Sequence, residues 1–271
     1  MTLAFVLLAS CTGVEPGDGT VSGVFDGKVE YEGHFTGERL RLDIALCGDS
    51  RNQSAFLEGM YREKQWAGNP SSLIDKFGYG QYFCELFEDG NLVYSKGFST
   101  LFEEWRTTEQ AKGTPMTAGQ SIWIPFPMKK AHFVLYQRIR ETGRFASLLE
   151  FDIDPSDRHI MPVADNGFAV TPVQYEGIPA QKVDLVFAGE GYTASEMPKL
   201  RADAARMADY LFSMEPYASR RSDFNVWLVE SVSEDSGADI PQDGVWRNTV
   251  MDSMFDTFYI DRYLTVMDHT K

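Results

Sequence analysis

Gly189, Gly191 and Ala194 follow one another as G-x-G-x-x-A, directly after the apolar run Val183 to Ala188 and directly before a helical pattern. In a strand–turn–helix unit such a turn brings a pyrophosphate against a helix N-terminus, and an acid closing the next strand, here Glu230, binds a ribose. Two features oppose that chemistry. Glu190 would set a negative charge beside the pyrophosphate, and Glu230 lies well beyond the usual spacing of ~20 residues. The preferred reading is a tight connection between strand and helix. Gly189 and Gly191 let the backbone turn sharply or take positive φ. Thr193 and Glu196, three residues apart, have the form of a capping box, in which each side chain satisfies an orphan N–H of the other.

The remaining reactive residue types are dispersed. His34, His132, His159 and His269 include no two that lie three to five residues apart. Catalytic zinc needs three converging protein ligands, commonly two of them from H-E-x-x-H on one helix. Asp235, Asp239 and Asp243 recur every fourth residue, whereas a calcium loop needs carboxylates at alternate positions around a central glycine. The solvated acidic loop is the default. There is no G-x-S-x-G nucleophile turn. Taken alone, the residue types show no complete active site.

The elements around the glycine turn have a clear grammar. Val183 to Ala188 is short, apolar and rich in β-branched and aromatic residues, the pattern of a strand buried on both faces. Met197, Leu200, Ala204, Met207, Leu211 and Met214 mark one apolar helix face, which Pro216 ends. Phe224 to Val229 is the next strand, so the unit is βαβ with a parallel pair. Beyond it, Asp261 to Leu264 looks like the start of a helix. With only two clear strands where such sheets usually have ~5–6, this α/β half reads as incomplete.

Upstream the signals are β. Leu40, Leu42, Ile44 and Leu46 alternate with Arg41, Asp43 and Ala45 as in a half-buried strand. Arg51 to Phe77 is less regular. Asp89-Gly90 and Glu141 to Arg144 sit between strand-like runs as hairpin turns. Pro125 and Pro127 close another strand, because proline cannot donate to a ladder. Short strands with glycine turns predict an antiparallel β-sandwich. The expected fold is therefore a two-domain α+β protein. A lipoprotein signal and tether occupies 1–22, the N-terminal antiparallel β-sandwich 23–153 and a proline-bearing linker 154–181. An incomplete, zincin-like α/β domain fills 182–271.

The chain has 271 residues, a net charge of −15 and a pI near 4.7. That charge excludes a nucleic-acid partner, which needs a basic surface, and disfavours adsorption on anionic lipid. Leu3 to Ala9 has the length of a signal-peptide core and is too short to span a bilayer. It runs into Leu8-Ala9-Ser10-Cys11, which resembles a bacterial lipobox. By that resemblance Cys11 is the lipidated residue, and the protein is exported and membrane-anchored, periplasmic or on the cell surface. Cys47 and Cys84 either pair, as exported cysteines can, or stay free as small apolar residues.

Several segments, VDLVFAGEGYTASEM, EPYASRRSDFNVWLV, SGADIP and VWRNTVMDSMFDTFYIDRYL, resemble the IgA-peptidase-like family sixty-four of the bacterial metallopeptidases. FGYGQYFCELFEDGNLVYSKGFSTLFEEWRTTEQA is similar to that family's separate N-terminal β-domain. The resemblance covers most of Leu40 to Leu264. It implies a zinc endopeptidase acting on protein substrates, with H-E-F-G-H, a later acidic ligand, and the motif glutamate as general base on zinc-bound water. That motif does not occur in these 271 residues, so the resemblance carries no catalytic or zinc-binding residue onto this chain, and none is predicted to bind zinc here. The expectation is the N-terminal portion of such an enzyme, whether as a fragment, a truncated gene model or a degenerate relative. The alternative is a non-catalytic surface lipoprotein that binds protein or glycan through its β-domain.

Overall fold

The computed structural model describes residues 28–163 and 166–268. Cys11, the lipobox, and His269 lie outside the described residues. The chain divides into two compact units, up to Val163 and from Ala164 onward. It is α+β, with far more strand than helix. Among the described residues no helix is long and apolar enough to cross a membrane.

Unit one follows a one-turn helix, α1 (Tyr31–His34), with β1 (Phe35–Gly48), β2 (Gln53–Glu63), β3 (Tyr82–Glu88) and β4 (Asn91–Phe98). After the short helix α2 (Leu101–Trp105) come β5 (Met116–Pro127), β6 (Ala131–Arg138), β7 (Phe145–Ile153) and β8 (Ile160–Pro162). They form two four-stranded sheets, ordered β5-β1-β2-β8 and β4-β3-β6-β7. The β3–β4 hairpin turns on Asp89 and Gly90, both at positive φ, as a two-residue turn of the favoured hand requires.

Two strands differ from the sequence reading. β2 lies inside the segment read as irregular, because its apolar residues are interrupted by Glu58, Gly59 and Arg62 and only its register with β1 reveals it. β8 forms inside the stretch read as linker, and it carries Pro162 without cost because it is an edge strand. β5, with Pro125 and Pro127, is the opposite edge of the same sheet.

β1 is buried on both faces, where alternation with Arg41 and Asp43 predicts one. Leu40, Leu42, Ile44 and Leu46 are sealed from solvent, and so are Arg41 and Asp43. The charges are tolerated because they are paired. Arg41 sits 3.0 Å from Asp43 and 3.1 Å from Glu63, with its guanidinium 4.5 Å over the Tyr61 ring. Ser121 donates to Asp43 at 2.7 Å. In the second sheet Tyr82, Leu86, Phe133 and Leu135 are fully buried, while Phe83, Val134 and Tyr136 form a separate cluster with Phe87 and Phe145. Cys47 and Cys84 are free thiols, Cys47 half-buried on β1 and Cys84 buried on β3, in different sheets.

Glu103 on α2 ties the two sheets. Its carboxylate accepts from the Tyr82 hydroxyl (3.0 Å), Arg106 (2.6 Å) and Arg140 (2.9 Å), and Arg106 also donates to Gln53 on β2 and the Asp49 carbonyl. Burial, with Glu103 alongside, pushes the Tyr82 phenol far above its ordinary pKa. At the other end Glu88 meets His34 at 2.6 Å and Lys129 at 2.5 Å. Burial pushes that carboxyl up, but Lys129 and His34 outweigh it and hold it below the usual range.

Unit two is a three-stranded sheet ordered β10-β11-β9, from β9 (Ala169–Gln174), β10 (Val183–Ala188) and β11 (Phe224–Glu230). β10 and β11 are parallel and joined through α3 (Met197–Leu211); β9 is antiparallel to β11. β9, with Pro172, is a further edge strand inside the proline-rich stretch. Two short strands, β12 (Ser253–Met254) and β13 (Thr265–Val266), pair with each other.

β10 is not buried on both faces. Val186, on the face away from α3, is 55% exposed, while Leu185 and Phe187 on the other face pack toward α3; Val183, at the start of the strand on that same face, is also exposed. A single helix covers a single face, and β10 is an edge. The buried face of α3 is Met197, Leu200, Ala204 and Ala208, continued by Phe212; Met207 and Met214 point out. An α-helix advances 3.6 residues per turn, so small Ala208 at the contact line serves where bulky Met207 does not. Nor do Asp261 to Leu264 begin a helix: they form a turn that leads into β13.

Removing Glu103 leaves Arg106 and Arg140 without their buried acceptor. Glu103→Ala is expected to cost about 3–5 kcal/mol in urea unfolding of unit one, with Glu103→Gln milder; equal midpoints for wild type and Glu103→Ala would refute the role.

Candidate functional site: the glycine turn and the loop folded over it

The turn after β10 and the loop after β11 meet backbone to backbone. Gly191 takes φ +67°, and a Cβ there would sit on the carbonyl oxygen of Gly237. Gly237 N–H donates to the Gly191 carbonyl at 2.9 Å, and Ser233 N–H donates to the Tyr192 carbonyl at 2.9 Å. At Gly189 a Cβ would lie 2.7 Å from Leu200 Cδ2, so glycine here lets α3 approach the sheet. Ser231 donates to the Gly189 carbonyl, and Ser233 Oγ accepts from Gly191 N–H (3.3 Å) and Val250 N–H (3.2 Å).

Thr193 and Glu196 stand at the entry to α3. Glu196 Oε2 accepts from both the Thr193 N–H and its hydroxyl at 2.9 Å, and the reciprocal capping box is formed. Ser236 in the overlying loop donates to the other Glu196 oxygen at 2.9 Å. One carboxylate therefore caps the helix and holds the loop. The Thr193 N–H, with the Ser236 and Thr193 hydroxyls, keeps Glu196 below the ordinary carboxylate range.

Glu190, given no role from sequence, is the organiser of residues 249–253. Its carboxylate accepts from the Thr249 hydroxyl, from Met251 N–H at 3.0 Å and from Ser253 N–H at 3.1 Å. Asp239, buried, accepts from Arg247 N–H at 2.6 Å, and Asp235 accepts from Asn248 N–H at 2.8 Å. Two of the three loop aspartates are thus backbone acceptors within the loop. The sequence carried no signal for this arrangement: Ser231 and Ser233 are buried while Val232 and Glu234 are exposed, and the alternation of β11 changes phase between Glu230 and Ser231.

Glu230 does not face a ribose site. Arg201 grips it from α3 at 3.0 and 2.5 Å, and Thr171 donates to it from β9 at 3.1 Å. Arg201 holds this carboxyl below its ordinary pKa, although its burial works the other way. With Glu190 and Glu230 both committed inside the unit, the turn is a structural joint.

The histidines stay apart. His34 lies against Glu88, His132 Nδ1 is 2.8 Å from Asp152, and His159 Nδ1 is 2.8 Å from Asp157. His132, Asp152, Asp154 and Asp157 line an open cavity of about 510 Å³ in unit one, together with Lys130. Lys130 and the Ser156 hydroxyl and N–H press the Asp154 carboxyl well below its usual range. Among the described residues no three of His, Cys, Asp and Glu are grouped to hold a metal ion.

The fold and joint define an α+β protein, with a strand-rich first unit and a second unit assembled around a strand–turn–helix–strand element. Residues 30–148 match the family model described as Peptidase M64 N-terminus, and residues 171–271 match that of IgA Peptidase M64. The chain belongs to the peptidase M64 family, whose members are IgA-peptidase-like metallopeptidases. No curated protein matches it. That family implies zinc for the complete enzyme. The donor set here does not fit it: each described histidine lies beside a carboxylate of its own, and Asp235 and Asp239 of the loop are spent on backbone N–H groups.

Gly191→Val is expected to destabilise unit two by at least ~1–3 kcal/mol, from positive φ alone; urea unfolding followed at Trp227 and Trp246 reads it, and an unshifted midpoint would contradict the close approach. Glu196 has a lowered folded pKa. Its contribution is therefore present above the unfolded carboxylate pKa and lost as pH falls through the lower folded value. Glu196→Gln should flatten this acid limb of the stability profile, and a profile that superimposes on wild type would remove Glu196 from the account.

Proposed function

We propose that this chain is the N-terminal portion of an exported zinc metalloendopeptidase that cleaves protein substrates. In this reading unit one is the family's antiparallel β-sandwich and unit two the opening of a zincin-like catalytic domain. Cys11 anchors the protein through lipid, on the periplasmic side or at the cell surface, and that anchor is its sole contact with membrane. The two family matches, in the family's order along one chain, carry the proposal. The open apolar face of the three-stranded sheet supports it, because an α/β catalytic domain needs further elements over Val170 and Val186, which share the face away from α3.

Zinc in this proposal is held by ligands that these 271 residues do not include. When bound it would polarise a peptide carbonyl and supply hydroxide at neutral pH. The residues of this chain do something else: Glu190, Ser233 and Glu196 fix the loop 231–253 against the start of the catalytic unit.

The purified 271-residue chain is expected to bind no stoichiometric zinc and to leave casein and immunoglobulin A uncut, with or without chelator. One zinc per chain by elemental analysis, with cleavage that chelator abolishes, would overturn this assignment of the ligands.

A further inference from the structure

Two aromatic rings stand out from the surface of unit one. Phe77 is 77% exposed and Tyr79 75%, with ring centroids 5.6 Å apart and planes inclined by only 15°. The segment that carries them is firmly pinned. Asp75 Oδ1 accepts from Phe77 N–H (2.8 Å) and Gly78 N–H (3.2 Å), while its Oδ2 accepts from Gly97 N–H (2.8 Å). Asp75 N–H in turn donates to the Ser95 hydroxyl at 2.9 Å. From the other side Arg138 donates to the carbonyls of Gly78 and Gly80, its guanidinium 4.1 Å over the Phe145 ring. Gly78 and Gly80 both take positive φ, and a Cβ at Gly80 would sit on the Phe98 backbone. The rings are therefore displayed by a preformed loop, and a ligand need not bear the cost of ordering it.

We propose that Phe77 and Tyr79 form a stacking platform for a neutral sugar chain. The face of an aromatic ring is electron-rich and attracts the weakly positive C–H groups on the flat side of a pyranose. From Phe77 to Cys84 the sequence carries no charged residue, which suits an uncharged ligand. The size of the patch separates this from a protein interface. Two side chains of this kind offer on the order of 300–500 Å², against roughly 800 Å² on each partner in a specific protein–protein contact. A sugar needs one ring to stack on. This proposal does not rest on the peptidase reading.

The test titrates the full chain with maltohexaose, cellohexaose and chitohexaose, followed by calorimetry and by the tyrosine resonances. Saturable binding to at least one of the three is expected. It should weaken about tenfold or more in Phe77→Ala and in Tyr79→Ala, and persist in Tyr79→Trp. Both alanine variants should keep the wild-type melting temperature, since exposed side chains contribute little to stability. No saturable binding to any of the three, or binding unchanged in the double alanine variant, overturns the proposal. Concentration-dependent sedimentation that the double variant abolishes, without sugar binding, would assign the rings to a contact between copies of the chain and overturns it equally.

Discussion

Unit two depends on one close approach between two stretches of backbone. Where the Gly189–Gly191 turn meets Gly237, no side chain fits between them, so the contact is made by peptide groups alone. Everything around it serves to keep those groups paired. Ser231 and Ser233 supply hydroxyls to the turn, Glu196 reaches up from the helix cap to Ser236, and Glu190 reaches across to the N–H groups of Met251 and Ser253. Ordering a loop costs about 1–2 kcal/mol per residue in backbone entropy. A loop with little apolar burial of its own must recover that through hydrogen bonds to groups already fixed, and the turn is where fixed groups are concentrated.

This explains the use made of an acidic composition. A surplus of carboxylates repels itself in a compact chain unless the charges are solvated or engaged. Unit one engages several of them with arginine: Asp43 and Glu63 with Arg41, Glu103 with Arg106 and Arg140. In the loop of unit two, carboxylates instead meet backbone N–H groups, at Glu190, Asp235 and Asp239. The same residue type thus performs cross-sheet pairing in one unit and loop fixation in the other. An acidic sequence pattern alone does not distinguish these uses from a cation site. The acceptor geometry does.

What was legible in the sequence was local. The Asp89-Gly90 hairpin, the parallel pair of Val183 to Ala188 with Phe224 to Val229, and the α+β class each follow from residues adjacent in the chain. What was not legible depends on partners far away. β2 is recognisable only opposite β1; the burial of Arg41 follows from Glu63 and Tyr61 on a neighbouring strand. Whether β10 is covered on one face or two depends on what packs over it, and a run of valines and leucines looks the same in both cases. The choice of Ala208 over Met207 on α3 is likewise set by helix phase against β11 and not by hydrophobicity. For the candidate site, Gly191 and the Thr193–Glu196 pair announce themselves by type and spacing. Glu190 does not, since its donors lie some sixty residues downstream.

The two units also differ in how completely they enclose their own apolar residues. In unit one β1 is buried on both faces, and β3 buries Tyr82 and Leu86 on one face and Phe83 on the other. Unit two has a single layer of contact, in which Met197, Leu200, Ala204 and Ala208 of α3 meet Val226 and Leu228. On its sheet Val170, Val183 and Val186 remain more than half exposed. Burial contributes about 25 cal/mol for each Å² of apolar surface removed from water, so one-sided packing leaves much of that stabilisation unrealised in unit two. Its polar joint therefore carries a larger share of the work of holding the element together. This is why the residues that matter most to unit two are three glycines, three serines and two glutamates rather than its valines.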